Sequence, residues 1–586
     1  MKKHLRAAFA AAMLPFLLTA LEIVPAAPRD GETVQLLNEA QKAFISLPHQ
    51  ERIAFFADAA KRRRLVKEGT WFPLPVKFVW RSDASEKAAF RVLVSEKPDM
   101  SSPLTAAGTA AGAKMDNLKI GQTYYWQAEA AEPGGKPVRS AIRRFRTWDR
   151  APRLIRFPDV PNVRDLGGRP AMEGMRVKQD RVFRTAGMNN NARWIPAKTE
   201  GELFAAFPDY RELLPLWRKW RKELESKPEA FAPVRWSLGK SWNVFIFDRE
   251  ALTAEETESL KKLPEVPAAL FGVSARKMES DKRDRLALPS TPGKRRVAVL
   301  MQSFTAPASG MMQVASGGEE AWNVRVNGQL VFSRMQGNGK GATTSNYFYF
   351  IPVRKGKNLL TVVLKSGDRR WIWCCGSRRK QKFSQNLDAN IADLRKSPVR
   401  WEPGANRIKP EGRAFFLDRL KVRSDIDLRS DRECMGMTGS PLGKSVTWHH
   451  ISSSSYGGMQ SDWGKAQFAR VFKLFLDEKN YPVIFHCIGG QDRTGAVAFI
   501  LNGLLGVEEE ELYLDWEATG FWNPSSQFNH ERRFDHLING FRRHPGKNMR
   551  EKIEHYILEC GFTREDIARF RKLMLEKPED AGSQGR

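Results

Sequence analysis

The chain has few cysteines for its length, with five among 586 residues. So low a number excludes a small fold held together by disulfide bonds, and no Cys/His cluster has the spacing of a zinc finger. Signatures of helix-turn-helix, zinc-finger and ribonucleoprotein-type domains are also missing, and the basic residues are dispersed. The net charge of +29 favours anionic partners in general. We nevertheless expect no nucleic acid among them.

Long apolar runs are missing from the chain after its N-terminal end. There, a basic stretch at residues 2–6 is followed by the apolar residues 7–21 and by small residues at 24–26. This order is typical of an export signal, which we predict over residues 1–26. A proline and a glutamate shorten the apolar stretch and so disfavour an uncleaved membrane anchor. We expect an exported protein, periplasmic or extracellular, with no transmembrane span in its mature chain.

The remaining composition predicts a multidomain protein. Hydrophobic residues make up 41% of the chain, and its length corresponds to about four domains. Apolar residues recur at helical spacing in a helical N-terminal segment at 27–70, and the period changes to two over residues 71–149. This second stretch resembles a fibronectin type III domain at three places: Trp80, "NLKIGQTYYWQAEA" (117–130) and "FRTWD" (145–149). That resemblance implies a β-sandwich that acts as a spacer or docking unit.

A second β-rich stretch lies inside a long insertion, residues 194–404. Its runs "WNVRVNGQLVFSR" and "YFYFIPVRKGKNLLTVVL" resemble the galactose-binding-like jelly rolls of secreted bacterial enzymes, over about 236–378. The resemblance implies a carbohydrate as a partner of the insertion. The aromatic side chains either stack on a sugar or fill the sandwich core, and those concerned are Trp322, Trp371 and Trp373.

The chemistry is concentrated in the segment "YPVIFHCIGGQDRTGAVAFILNGLLGV", residues 481–507. Its pattern predicts a buried strand at 483–485, a polar loop at 486–494 and an apolar helix at 495–505. Backbone N–H groups converge on an anion in this geometry. We expect the loop to bind a phosphate group through Ile488, Gly489, Gly490, Gln491, Asp492 and Arg493.

Cys487 is the candidate nucleophile, because a helix N-terminus and a nearby guanidinium both favour a thiolate. Arg493 is six residues further on and can bind two phosphate oxygens. Thr494 is placed to hydrogen-bond the sulfur. The alternatives are a structural cysteine beside a surface arginine, or an inactive relative that keeps the loop.

Cys-x5-Arg in this context resembles the cysteine-dependent protein tyrosine phosphatases, and most closely the bacterial branch with Asp before the Arg. Two further signatures of that branch have similar segments here. The first is "VPNVRDLGGRP" with "DRVFRTAGMN" (160–189), and the second is "LKVRSDIDLRSDRE" (420–433). The resemblance implies an α/β phosphatase domain split into residues 150–193 and 405–578, beside all-β sandwich domains. It also implies supporting roles for His486, Asn162, Arg164, Asp165, Asp427 and Arg429.

The same resemblance implies a phosphocysteine intermediate and a general acid. The in-loop Asp492 is the first candidate for that acid, Asp431 the second and Asp427 the third. Each carboxylate has the alternative role of an ion-pair partner for a neighbouring arginine. No metal or organic cofactor is implied.

The phosphatases of this branch often carry a lysine in the loop, whereas Ile488 and Gln491 are uncharged here. This difference favours a phosphorylated protein or small phosphomonoester over a highly phosphorylated inositol ring. Two alternatives remain: an inositol phosphate or phosphoinositide phosphatase, and a glycan- or surface-binding protein with an inactive phosphatase fold.

The histidines near the C-terminus show no paired spacing on one face. We therefore interpret them as surface or core residues rather than as metal ligands; they are His530, His536, His544 and His555.

Overall fold

The structure is a computed structural model, and it describes residues 21–61, 72–234, 238–290, 294–335, 337, 342–344, 346–366, 371–376, 382–523 and 530–578. Most of the predicted export signal, the end of the predicted helical segment and the predicted start of the jelly roll lie outside these ranges. Among the described helices, none is both long and apolar enough to cross a bilayer.

Nine short strands near the N-terminus form one sheet in which all but one of the neighbouring pairs are antiparallel. The predicted alternation is confirmed at Val76, Phe78 and Trp80, which are buried while the residues between them are exposed. The strands are Ile23–Ala27, Glu32–Val34, Val76–Ser82, Ala89–Ser95, Leu104–Thr109, Gly112–Met115, Thr123–Ala131, Val138–Arg139 and Arg143–Thr147.

The segment predicted to be helical, residues 27–70, is helical only in part. Val34, whose spacing suggested a helix, lies in a strand that pairs with Arg143–Thr147. Backbone pairing with the sheet outweighs the helical spacing at this position. The helices Glu39–Ile45 and His49–Ala57 follow.

The strand Ile23–Ala27 spans the predicted end of the export signal at residue 26. It pairs with Val76–Ser82 at the edge of the sheet. Cleavage at residue 26 would therefore remove most of an edge strand.

The insertion forms a second β unit, built from a six-stranded and a four-stranded sheet around a shared core. A two-stranded ribbon, Arg193–Pro196 with Pro398–Glu402, brings the two ends of the insertion together. The larger sheet contains Arg276–Glu279, Ser241–Phe247, Val297–Ala306, Gly356–Lys365, Trp322–Val326 and Gln329–Arg334. The smaller sheet contains Arg285–Leu288, Trp371–Gly376, Gly310–Gly318 and Tyr347–Val353.

The remaining described elements of the insertion are short strands and helices around these sheets. They are Ala269–Leu270, Val273–Ser274, Glu200–Ala206, Asp209–Ser226, Ala254–Leu260, Phe383–Arg395 and the 3-10 turn Pro228–Phe231.

The aromatic residues considered for sugar stacking lie in the core of the insertion. Trp322, Trp371 and Trp373 are all buried, and the Trp322 and Trp373 rings meet edge to face. Stacking on a sugar requires an exposed ring face, so burial excludes the sugar-stacking alternative for these three residues. The core-filling alternative is the one observed.

A third sheet carries the loop of interest. Its strands follow the order Arg153–Leu154, Arg164–Asp165, Val182–Thr185, Val483–His486, Ser424–Asp427 and Thr447–His450. The last four strands are parallel. The carboxyl ends of these parallel strands meet at one edge of the sheet, where ligands bind in open α/β sheets.

Long helices pack on one face of this sheet, and the turn Phe415–Arg419 with its neighbouring segments covers the other. The predicted strand at 483–485 is confirmed as Val483–His486, and the helix after the loop is Asp492–Leu504. Every residue of that helix from Thr494 onward is buried, which explains its apolar sequence. The other helices are Pro410–Ala414, Asp462–Phe475, Glu509–Glu517, His530–Phe541, Met549–Glu559 and Arg564–Met574.

Several single turns and one short ribbon complete this part of the chain. The turns are Met172–Gly174, Phe415–Arg419, Tyr456–Gln460, Glu478–Asn480 and Ala518–Phe521, and the ribbon pairs Arg176–Val177 with Leu575–Glu576.

Candidate active site

We call residues 487–493 the phosphate loop; it joins the central strand to the helix Asp492–Leu504. Gly490 has a φ of 66°, in the left-handed region that favours glycine. A Cβ atom there would lie 2.4 Å from the carbonyl oxygen of Thr185 on the neighbouring strand. At Gly489 a Cβ would meet no atom of the described chain within 4 Å. Packing of the loop on the sheet therefore requires glycine at position 490 only.

Cys487 lies at the start of the loop with 3% of its surface exposed. Burial on its own raises the pKa of this thiol. The Arg493 guanidinium and the nearby Thr494 outweigh burial, so the pKa lies below the usual value for cysteine. The site thus favours the thiolate, which is the nucleophilic form of cysteine.

Arg493 is held in place by Glu433, a residue that sequence analysis did not select. Its Nη1 and Nη2 donate to the two carboxylate oxygens of Glu433, at 2.7 and 3.1 Å, and Nη1 also donates to the Leu428 carbonyl at 3.3 Å. Glu433 is itself fixed by the backbone N–H and hydroxyl of Ser430, at 2.6 and 2.8 Å. Within the described chain, the Nε and Nη2 face of Arg493 remains available for two phosphate oxygens.

The outer carbonyls of the loop are held by the N-terminal half of the split sheet. Asn162 donates its amide N–H groups to the carbonyls of Gly489 and Gly490, at 3.0 and 3.1 Å. Arg184 also donates to the Gly490 carbonyl. With these carbonyls engaged from outside, the loop's N–H groups are free to turn inward toward an anion.

A buried carboxylate, Asp515, organises the arginines behind the loop. Arg169 Nη2 donates to it at 2.9 Å, Arg184 donates to its other oxygen, and Arg164 Nε lies 3.7 Å away. Burial acts to raise the pKa of Asp515, but the three guanidinium groups lower it to about 2. Arg164 also donates to the side-chain oxygen of Asn162, the residue that holds the loop carbonyls.

The strand residues before the loop form a second buried polar group. His486 Nε2 lies 3.0 Å from Asp425 and Nδ1 lies 3.8 Å from Asp427. Burial disfavours the imidazolium, but these two carboxylates raise the pKa of His486 above its usual value. The imidazole therefore links the central strand to its neighbour Ser424–Asp427.

Asp427 is not placed to act as the general acid. Both of its carboxylate oxygens accept hydrogen bonds from Arg429, at 2.6 to 3.2 Å, and the pair is fully buried. Although burial opposes ionisation, His486 and Arg429 hold the pKa of Asp427 below its ordinary value. The third candidate is thus an ion-pair partner, and Arg429 is a structural residue.

Asp492, the first candidate acid, begins the helix after the loop. The Tyr456 hydroxyl donates to its carboxylate, and Arg533 Nη1 lies 3.8 Å from the same oxygen. Its side chain is partly exposed, at 43%. This carboxylate is both oriented and accessible to substrate.

Asp431, the second candidate, faces the insertion. Its Oδ2 accepts a hydrogen bond from Arg295 at 3.2 Å, and its Oδ1 lies 3.7 Å from His450 Nδ1. Asp431 thus pairs with Arg295 of the insertion.

The other predicted loop residues divide into exposed and buried positions. Ile488 is 41% exposed beside the nucleophile, whereas Gln491 and Thr494 are buried.

Asp165 lies away from the loop and binds Arg153 at 2.7 Å and the Gly167 N–H at 2.8 Å. It therefore stabilises the turn of its own segment.

Sequence analysis missed three residues of the site: Glu433, Arg184 and Asp515. Arg184 and Glu433 stand inside the quoted signature segments, at the end of a strand and in the acidic turn. Asp515 had no sequence signal beyond its place in a helix, because only the tertiary fold brings it to the arginines.

The interpretation of the C-terminal histidines as surface or core residues stays a prediction, but the structure brings two of them close together. The rings of His544 and His555 have centroids 5.8 Å apart, and both lie near Glu559. His555 and Glu559 are four residues apart on one helix, a spacing that places both on the same face.

Comparison with solved structures gives only weak likenesses. An alpha-L-rhamnosidase of Streptomyces avermitilis shares 13% identity, over 52% of this chain and 21% of that one, with a TM-score of 0.13. A beta-glucosidase of Kluyveromyces marxianus shares 10% identity, over 26% and 18% of the chains, with a TM-score of 0.18. Scores this low support no statement about fold or activity.

Comparison at the level of sequence is more specific. A curated relative, the tyrosine-protein phosphatase of Nostoc commune, is 31% identical over 143 residues, which is 20% of this chain and 48% of that protein. The chain thus spans about half the length of this relative. Residues 403–576 match the Tyrosine phosphatase family. That range includes the phosphate loop, Glu433 and Asp515, and the chain therefore carries a tyrosine phosphatase family domain.

Proposed function

We propose that the chain is a cysteine-dependent phosphatase that hydrolyses phosphotyrosine-like monoesters through a phosphocysteine intermediate. The observation that supports this best is a grouping of three side chains: the Cys487 thiol with its lowered pKa, Arg493, and the Glu433 carboxylate that fixes Arg493. Among the described residues, none occupies the Nε and Nη2 face of Arg493.

In the first step, the Cys487 thiolate attacks phosphorus and the bond to the ester oxygen breaks. That oxygen receives a proton from Asp492, and the phosphoryl group remains on sulfur. Arg493 and the loop N–H groups stabilise the charge on the equatorial oxygens, which is greatest in the transition state.

In the second step, Asp492 takes a proton from water, the water oxygen attacks phosphorus, and the sulfur–phosphorus bond breaks. Inorganic phosphate leaves and the thiolate returns. The Thr494 hydroxyl is buried and makes no hydrogen bond within the described chain, so it can donate to the sulfur and stabilise the departing thiolate.

The choice of a phosphotyrosine-like substrate rests on the rim of the loop. Ile488 is exposed and uncharged, and Gln491 is buried and uncharged, so neither adds a cation for a second phosphate group. An exposed aliphatic side chain next to the nucleophile suits an aromatic leaving group better than an inositol ring that carries several phosphates.

The accessory units and the compartment are further parts of the proposal. We infer that the N-terminal sheet is a fibronectin type III-like domain and that the insertion contains a galactose-binding-like jelly roll. Both would position the enzyme on a surface or a substrate. The basic and apolar N-terminal sequence supports export to a periplasm or beyond.

The decisive test is hydrolysis of a phosphotyrosine peptide by the full chain under reducing conditions, beside Cys487→Ser and the control Cys560→Ser. We expect activity in the parent and in the control, and none in Cys487→Ser. Activity on phytate or a phosphoinositide but not on the peptide would favour the inositol phosphatase. Inactivity on all of these substrates and on an aryl phosphate would favour a binding protein with an inactive fold.

A further inference from the structure

We propose that His544, His555 and Glu559 form a site for one divalent transition metal ion of the Zn²⁺ class. The site would have three protein ligands and a fourth position open to water. It is separate from the phosphate loop, and the inference does not depend on the proposed function.

The ligand atoms are already close to the required separations. The Nδ1 atoms of His544 and His555 lie 3.2 and 3.0 Å from the same oxygen of Glu559, Oε1. All three ligand atoms lie within 4.8 Å of one another. Atoms bound tetrahedrally at about 2.0–2.2 Å from zinc are about 3.3–3.5 Å apart. Shifts of a few tenths of an ångström would bring the two nitrogen–oxygen distances to those values.

Both imidazoles can present a lone pair at this point. His544 Nε2 lies 2.7 Å from the side-chain oxygen of Gln460. A proton on Nε2 that is donated to Gln460 leaves Nδ1 unprotonated, which is the form that binds a metal, and it fixes the ring orientation as well. His555 Nδ1 is buried, and its 3.0 Å approach to Glu559 Oε1 does not have the geometry of a hydrogen bond, so it makes none within the described chain.

The carboxylate of Glu559 is also held in orientation. Lys465 Nζ contacts the second oxygen, Oε2, whereas both histidines face Oε1. The lysine thus leaves Oε1 for the metal while it fixes the side chain. Its positive charge weakens binding of a dication, so we expect the site to be weaker than a structural site with four ligands.

The position of the cluster gives the metal a structural role. His555 and Glu559 belong to the helix Met549–Glu559, and His544 belongs to the segment before it. Gln460 ends the turn Tyr456–Gln460, which the helix also contacts through a hydrogen bond from Tyr556 to the Met459 carbonyl, at 2.9 Å. A bound ion would therefore brace this helix against the turn that carries Tyr456.

The test is direct metal binding by the full chain, produced without a polyhistidine tag and with the Cys487→Ser change, which removes the loop thiolate as a competing ligand. Titration with Co²⁺ is followed by visible absorption, and Zn²⁺ binding is followed by displacement of Co²⁺ and by thermal unfolding. We expect one ion per chain and a higher unfolding temperature with Zn²⁺.

The variants His555→Ala and His544→Ala should each lower the affinity for the metal at least 10–100-fold. That is the loss found when a residue that only hydrogen-bonds to a metal ligand is replaced, and removal of a ligand should cost no less. His536→Ala, an exposed histidine on the helix before this segment, should bind like the parent. If the less exposed His544 variant does not fold, His555→Ala and Glu559→Gln carry the test. Absence of binding in the parent, or binding that His555→Ala leaves unchanged, would overturn the proposal.

Discussion

Glu433 and Arg493 form a two-point contact in which both carboxylate oxygens meet the guanidinium, at 2.7 and 3.1 Å. The contact uses the Nη1 and Nη2 edge of the guanidinium and leaves the Nε and Nη2 edge for substrate. Glu433 thus orients the arginine without competing for the face that would bind phosphate. It lies 60 residues from Arg493 in the sequence.

Replacement of Glu433 by Gln should therefore damage catalysis more than stability. The amide keeps the shape but loses one acceptor and the charge, so we expect kcat/KM on a phosphotyrosine peptide to fall about 10–100-fold. Steady-state kinetics beside Glu478→Gln, an exposed glutamate that pairs with Arg181, provides the measurement. Equal losses in both variants would contradict the orienting role.

Cys487 should be alkylated far faster than the other four cysteines at neutral pH. Its pKa is lowered, whereas burial raises the pKa of Cys374, Cys375 and Cys560 to about 12 and raises that of Cys434 as well. Brief treatment with iodoacetamide, followed by peptide mass spectrometry, measures the difference. Added inorganic phosphate should slow labelling of Cys487 alone, and uniform labelling would rule out an activated thiol.

Asp492→Asn should reduce hydrolysis of a phosphotyrosine peptide about 10²–10⁴-fold, the usual contribution of a general acid. An aryl phosphate with an electron-poor leaving group needs less protonation and should be affected much less. Asp431→Asn removes a partly exposed ion pair with Arg295, and we expect its rate to stay within about threefold of the parent. The reverse ranking of the two variants would move the acid to Asp431.

Asp515→Asn should destabilise the sheet and the phosphate loop by about 3–5 kcal/mol at neutral pH, since it leaves buried arginines without their counter-ion. The folded pKa of about 2 lies below the unfolded value near 4. Stability from this group is therefore present above pH 4 and lost as the pH falls toward 2. Hydrogen exchange in peptides that cover 483–494 should show a difference between variant and parent that shrinks on acidification. A difference independent of pH would contradict this account.

The sequence alone was sufficient for the parts of the site that are contiguous. One uninterrupted segment predicts Cys487, Arg493 and the strand–loop–helix order. Its sequence changes from apolar to polar where the loop begins and back to apolar where the loop ends. The acidic turn in 420–433 and the strand with Arg184 were also recognised as segments. The sequence did not indicate which of their side chains enter the site. That depends on how strands 182–185 and 424–427 flank the central strand.

Residues that act across the fold could not be chosen from local pattern. Asp515 stands in a helix that has three other acidic residues in its first turn, and nothing in the spacing marks it as the one that meets the arginines behind the loop. Trp322 and the neighbouring tryptophans show a second limit of local pattern. Aromatic residues alternate along a strand in the same way whether they line a binding face or fill a core. Burial, which is a tertiary property, decides both cases.

The phosphate loop is supported by residues made much earlier in translation. Asn162 lies 327 residues before Gly489, a distance that takes about 20–60 s to synthesise at ~5–20 residues per second. Throughout that time the strand Val182–Thr185 has no central partner, and its open edge is exposed to pairing with other chains. The insertion is made and can collapse on its own core during this interval. Newly made chains should therefore be most at risk of aggregation, and entirely without phosphatase activity, until the last quarter of the protein has emerged.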